Sequence, residues 1–187
     1  MKKNKISKNW VNKQRRDTYV KQSKIDGYRA RSAYKLKEID EKFKVFKGGM
    51  QVIDIGAAPG SWSQYVSKVV KNGKIISIDL KDIDTIKGVI QIKGDFTDLL
   101  VQNEIKNNIK KKVDAVISDM AVNTTGIKNI DAIQTGELCI EAMNFSKEII
   151  SIDGYFISKI FMGGTFNEIV AEGKKIFKEV KVFKPKS

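Results

Sequence analysis

The 187-residue sequence contains no histidine and a single cysteine, Cys139. Without imidazole there is no His-based acid–base catalysis. With one thiol there is no intrachain disulfide, and neither a four-cysteine nor a mixed cysteine–histidine metal site, so no metal is expected. Cys139 falls in the helical run Leu138 to Met143, where a small buried apolar residue is the expectation rather than a reactive thiol. Such sparing use of cysteine fits a reducing cytoplasm. No apolar run reaches the length of a membrane span, and the N-terminus has no secretory hydrophobic region. Internal repeats and low-complexity inserts are also missing. The length suits one domain, expected to work as a monomer, and a hydrophobic content of 41% is enough to build a core.

Positive charge, by contrast, is plentiful and unevenly placed. The formal net charge is +13, and residues 1–47 hold 16 Lys and Arg against 5 Asp and Glu, leaving the rest nearly balanced. All four arginines, Arg15, Arg16, Arg29 and Arg31, lie in that first stretch, together with Lys24 and Lys35. A uniform enrichment in lysine does not predict such a concentration, whereas a nucleic-acid contact surface does. Tyr19, Tyr28 and Tyr34 are interleaved with these charges, as groups that stack on bases or pack beneath a helix. Residues 1–22 read as a basic mobile arm and residues 23–187 as a single domain.

Within that domain strand and helix patterns alternate. Helices are expected over residues 32–43, 99–110, 131–150 and 166–177, and strands over 52–55, 74–79, 89–92, 113–118, 155–160 and 180–183. This order predicts an α/β protein with a doubly wound, mostly parallel sheet. Leu36, Ile39 and Phe43 give the first of these helices an apolar stripe.

The most informative segment joins the first strand to a helix through Asp54-Ile55-Gly56-Ala57-Ala58-Pro59-Gly60-Ser61-Trp62-Ser63-Gln64. Gly56 and Gly60 offer no Cβ to obstruct a ligand, and Ser61 is placed to cap the helix that Trp62, Tyr65, Val66 and Val69 continue. The turn lacks the G-x-G-x-x-G spacing of dinucleotide folds and the Gly-Lys-Ser/Thr of phosphate loops. Asp79 ends the next strand at the position where such folds bind a ribose. Nucleoside recognition without a pyrophosphate grip suggests S-adenosylmethionine. Asp95 and Asp119 end two further strands, one suited to an adenine amino group and the other to the reactive end of the cofactor. Each could equally cap the helix that follows.

Together with Gly27 to Leu36, Gly94-Asp95-Phe96, Ser118-Asp119-Met120-Ala121 and Ser158-Lys159-Ile160-Phe161, the glycine-turn segment resembles the FtsJ-type ribosomal RNA large subunit (uridine-2′-O-)-methyltransferases, with the motifs in the same order. The resemblance implies a Rossmann-like S-adenosylmethionine-dependent fold and methyl transfer to a ribose 2′-hydroxyl. It also implies a site in which Gly56, Pro59, Gly60, Trp62, Asp79, Asp95 and Asp119 hold the cofactor. The family's catalytic Lys-Asp-Lys-Glu set maps onto Lys35, Asp119 and Lys159. Its substrate would be a uridine of 23S ribosomal RNA, on the assembled large ribosomal subunit, contacted through Arg15, Arg16, Lys24, Arg29, Arg31 and Lys35.

The family's fourth residue, a Glu, lies on a last strand beyond a segment resembling Lys184-Pro185-Lys186-Ser187, so the C-terminal strand reads as missing and the chain as truncated. Glu179 precedes the last expected strand and does not match the motif. Val122 stands where the family has Pro and is expected to alter the loop from Asn123 to Lys128. An RNA-binding protein with an impaired site, a transfer RNA methyltransferase and a dinucleotide-dependent oxidoreductase are the competing readings. For Lys159 to act as base it must be neutral. At a pKa near 10.4 roughly one lysine in a thousand is neutral at physiological pH, and lowering the value by about three units requires roughly 4 kcal/mol.

Overall fold

Gln51–Ile55 (β1) is buried on both faces, as a strand in the middle of a parallel sheet must be, and apolar but for Gln51 and Asp54. It pairs with Lys74–Asp79 (β2) on one side and Val113–Ser118 (β4) on the other. Val89–Lys93 (β3) and Ile150–Ser158 (β5) complete a five-stranded parallel sheet in the order β3-β2-β1-β4-β5. This is the computed structural model of the chain, and it describes residues 16–121 and 126–187. Arg15, Val122 and residues 123–125 of the loop expected over Asn123 to Lys128 lie outside the described residues.

Among the described residues the helices are Thr18–Ile25 (α1), Ser32–Phe43 (α2), Ser61–Val69 (α3), Leu99–Asn108 (α4), Lys128–Ile149 (α5) and Phe166–Ile176 (α6). Side chains alternate across each strand, and the core divides accordingly. Ile53, Ile55, Ile76, Ile78 and Val116 pack with Ile105 of α4 and Phe145 of α5 on one face. Val52, Ile75, Ala115 and Ile117 pack with Leu36 of α2 and Trp62, Tyr65 and Val66 of α3 on the other. Cys139 is buried between α5 and α6 beside Met143 and Ile169, and burial pushes its thiol pKa up. No described helix is long and apolar enough to cross a membrane.

Four local expectations are corrected. Val180 to Phe183 form no strand: Val180 lies over Gly173 of α6, and the Phe183 ring meets Phe43 of α2 at 5.7 Å with Lys42 above it. Packing on two helices therefore overrides the strand propensity of Val-Lys-Val-Phe. β5 begins earlier than expected, at Ile150, because residues 151–154 form an irregularity in the ladder with Asp153 at positive φ. Ser61 is not the cap of α3; Gly60 holds that position, and the Ser61 hydroxyl instead meets that of Ser32 at 2.8 Å. The boundary at residue 22 falls inside α1, whose start is capped by Asp17 accepting from the Tyr19 and Val20 N–H groups. That helix packs on α2 through Tyr19 and Tyr34, whose ring centroids are 5.5 Å apart.

Between β1, α3 and β2 the core contains a polar knot. Asp54 is fully buried and accepts a 2.5 Å hydrogen bond from Ser63, whose oxygen is also 2.5 Å from that of Ser77. Its other carboxylate oxygen has no hydrogen-bond donor. Burial is the main cause that pushes the Asp54 carboxyl up to about 7, with the charges of Asp119 and Asp79 acting the same way against the Ser63 hydrogen bond. The folded protein therefore holds a proton here that the unfolded chain releases near its ordinary value of 3.8. Between those values stability falls as pH rises. Asp54→Asn keeps the shape without the charge. In thermal melts it should exceed the wild type in stability at about pH 8, by a margin that narrows toward about pH 5. A margin independent of pH would show that Asp54 does not titrate in this range.

Candidate active site

The turn after β1 is closely packed at both of its glycines. Gly56 has φ +72°, and a Cβ there would lie 2.1 Å from Cγ of Met120, just past the end of β4. Gly56 and Ala57 donate to the Ile78 carbonyl at 2.8 and 3.0 Å, which fastens the turn to β2. Asp79, the last residue of β2, continues that tie: one oxygen accepts from Ala58 N and the other from Lys81 N, both at 2.8 Å. Gly60, at φ +103°, begins α3 and leaves space for no side chain, because Arg29, Ile83 and Ile86 crowd its Cβ position.

The ends of β4 and β5 supply the reactive groups. Lys159 Nζ lies 2.8 Å from Oδ1 of Asp119 and donates to the Asp119 backbone carbonyl at 2.7 Å. The carboxylate contact is an ion pair without hydrogen-bond geometry, which leaves Oδ1 buried and without a donor. Both side chains are about one-fifth exposed. Lys35, on α2, faces the same pair. Its pKa is lowered chiefly by burial, against the attraction of Asp119 and with the repulsion of Lys159 and Arg31. The structure therefore brings Lys35, Asp119 and Lys159 together, three residues far apart in the sequence.

Other expected site residues are placed differently. Trp62 is 3% exposed and donates its indole N–H to the Ser32 carbonyl at 2.9 Å, so it supports the turn from behind and has no face for a cofactor. Asp95 is exposed and folds back on Thr97, accepting from its N–H and hydroxyl; the helix that follows is capped by Asp98 instead. Arg29, expected to meet RNA, instead turns its guanidinium to the Pro59 and Thr85 carbonyls. Arg31 pairs with Asp17. Arg16 and Lys24 are exposed. Sequence reasoning missed Met120 against Gly56 and the serines on Asp54. It also missed Glu38 of α2, which holds the backbone N–H groups of Lys186 and Ser187. No local pattern marks these contacts, since each joins segments distant in sequence.

The donor set indicates the charge of the ligand. Asp54 and Asp119 stand near the carboxyl ends of adjacent strands; one buried oxygen of Asp54 has no hydrogen bond, and Oδ1 of Asp119 is already paired with the Lys159 ammonium. A cationic ligand beside Asp54 would favour its charged form, whereas a pyrophosphate would oppose it. S-adenosylmethionine, with its sulfonium and ammonium groups, fits this environment; a nicotinamide dinucleotide does not.

Comparison with known proteins agrees. The chain is 71% identical over 187 residues to ribosomal RNA large subunit methyltransferase E of Pelagibacter ubique (strain HTCC1062), covering 100% of this chain and 92% of that protein. It is 46% identical to the protein of the same name from Rickettsia bellii (strain RML369-C), covering 97% of this chain and 82% of the relative. A crystal structure from Plasmodium falciparum, described as a ribosomal RNA methyltransferase, superimposes with a TM-score of 0.78 at 35% identity, over 85% of this chain and 92% of that one. The family model described as FtsJ-like methyltransferase matches residues 28–187, from just before α2 to Ser187, and the chain belongs to that family, whose methyl donor is S-adenosylmethionine.

Proposed function

We propose that this protein transfers a methyl group from S-adenosylmethionine to the 2′-hydroxyl of a uridine in large-subunit ribosomal RNA. In this reading it acts as a cytoplasmic monomer on the assembled subunit. The observation that carries the reading is the pairing of Lys159 with Asp119 beside Lys35, at the carboxyl ends of β4 and β5 next to the glycine turn. The names of the curated relatives supply the substrate class.

In this reading the turn shaped by Gly56, Pro59 and Gly60 presents its backbone to the donor, Asp79 meets its ribose and Asp95 its adenine, through the carboxylate oxygen that Thr97 does not engage. The donor supplies a methyl group made electrophilic by positively charged sulfur. The protein orients the ribose hydroxyl and removes its proton. Once Lys159 has shed its own proton, which the ion pair with Asp119 opposes, it would take the hydroxyl proton as the 2′-oxygen bonds to the methyl carbon and the sulfur–methyl bond breaks, leaving the spent donor as a neutral thioether. Asp119 fixes the lysine through two oxygens, and effective positioning supplies much of the rate. Lys35, whose pKa burial holds below the usual lysine range, offers a polar contact to the hydroxyl. Arg16 and Lys24 meet the RNA backbone.

Two measurements test the assignment. Labelled methyl transfer to large ribosomal subunits lacking the modification should fall by about a hundredfold or more in Lys159→Ala, with donor binding retained. Near-normal turnover would remove Lys159 from the mechanism, and stronger transfer to transfer RNA than to subunits would change the substrate. The second concerns Lys35. Because its folded pKa is lowered from 10.5, the buried charge opposes folding at neutral pH, and wild-type stability rises as pH climbs through the folded pKa toward the unfolded one. Lys35→Met should therefore melt higher than wild type at neutral pH while losing turnover. A lower melting temperature would mean that Asp119 gains more from Lys35 than burial costs.

A further inference from the structure

We infer that Arg29 is a positioning residue for the methyl donor, whose guanidinium sets the distance between the glycine turn and the loop of residues 80–88. The inference rests on the proposed reading of the site as an S-adenosylmethionine pocket. Two strands of the sheet, β1 and β2, each end in a turn that borders this pocket. On the inner side the turns are joined by Asp79, which bonds Ala58 N and Lys81 N. On the outer side they are joined by Arg29: Nη1 donates to the Pro59 carbonyl at 2.9 Å and Nη2 to the Thr85 carbonyl at 3.3 Å.

Arginine suits this bridge because its planar fork presents separate N–H groups to two acceptors, and a lysine ammonium on a flexible stem does not hold both carbonyls in fixed relation. Charge-assisted hydrogen bonds to carbonyls are also stronger than neutral ones. The arginine is itself anchored. Its backbone N–H donates to Gln64 Oε1 at 2.9 Å, and Gln64 Nε2 returns a bond to the Gly27 carbonyl at 3.1 Å. Residues 27–29 are thus stapled to α3, the helix that the glycine turn begins. The absent side chain at Gly60 completes the fit, since a Cβ there would stand 2.7 Å from Nη1.

Most of the loop from Leu80 to Gly88 is exposed, with Ile86 its buried anchor. Without the outer bridge the loop gains conformations, and a donor that needs both turns in place must bear the cost of ordering them. The loss should therefore appear in donor affinity. A residue that meets RNA phosphates would lose RNA affinity instead, and would be rescued by lysine.

The test measures labelled S-adenosylmethionine binding by equilibrium dialysis, and large-subunit affinity separately, for the wild type, Arg29→Ala and Arg29→Lys. Both variants should bind the donor about tenfold more weakly and raise its KM by a similar factor. Subunit affinity should stay within about twofold, and kcat at saturating donor should change less than KM. Unchanged donor affinity, or rescue by lysine, would overturn the inference. If Arg29→Ala fails to fold, Arg29→Lys decides alone, because it retains the charge and stem. A wild type that binds no S-adenosylmethionine would overturn the underlying reading together with this one, and so is distinguishable from failure of the Arg29 assignment.

Discussion

The parallel register between β4 and β5 decides where the lysine of the site falls. Pairing runs unbroken from Ala115 with Tyr155 to Ser118 with Ser158, and Lys159 N then donates to the Ser118 carbonyl at 2.9 Å. Because successive side chains in a strand point to opposite faces, a slip of one residue would turn Lys159 away from Asp119. The irregularity at residues 151–154 absorbs the extra length of β5 at the far end of the ladder, before the stretch that matters. The glycine turn depends on the same frame, since Met120, two residues beyond β4, occupies the space that a side chain at Gly56 would need.

Strands, helices and the residues at the carboxyl ends of the strands are legible in the sequence because their signals are local. β-branched runs such as Lys74 to Asp79 and the helical spacing of Ser32 to Phe43 carry their own periodicity, and a carboxylate after an apolar run marks a strand end. What sequence alone does not reveal is what each polar group does with its partner. Asp79 is expected to meet a ribose, yet both its oxygens also engage backbone N–H groups of the two turns. Trp62 stands in an unusual motif, but its indole N–H satisfies a carbonyl thirty residues away. Val180 to Phe183 has every local mark of a strand and packs against helices instead, a choice made by Gly173 and Phe43 from outside the segment.

The basic N-terminal region shows the same limit from the electrostatic side. Its excess of positive charge is a property of composition and acts at a distance whatever the individual groups touch. Its contacts are not. Arg31 is held by Asp17 and Arg29 by two carbonyls, whereas Arg16 and Lys24 face outward. Tyr19, Tyr28 and Tyr34, candidates for stacking on bases, pack largely on one another, with Lys68 covering Tyr28. Charge in this region thus both attracts and builds.

The hydroxyl contact between Ser32 and Ser61 joins the first residues of two helices, α2 and α3. Each helix carries a partial positive charge at that end, equivalent to about half a proton charge, from peptide dipoles aligned along its axis. Lys35 sits where the first turn of α2 closes, the end of a helix at which a cation is least welcome. The aligned peptide groups of the fold therefore lean in the same direction as burial, against an ammonium at Lys35. Part of the field that tunes this site comes from backbone alone, and no side-chain substitution can remove it without unwinding the helix.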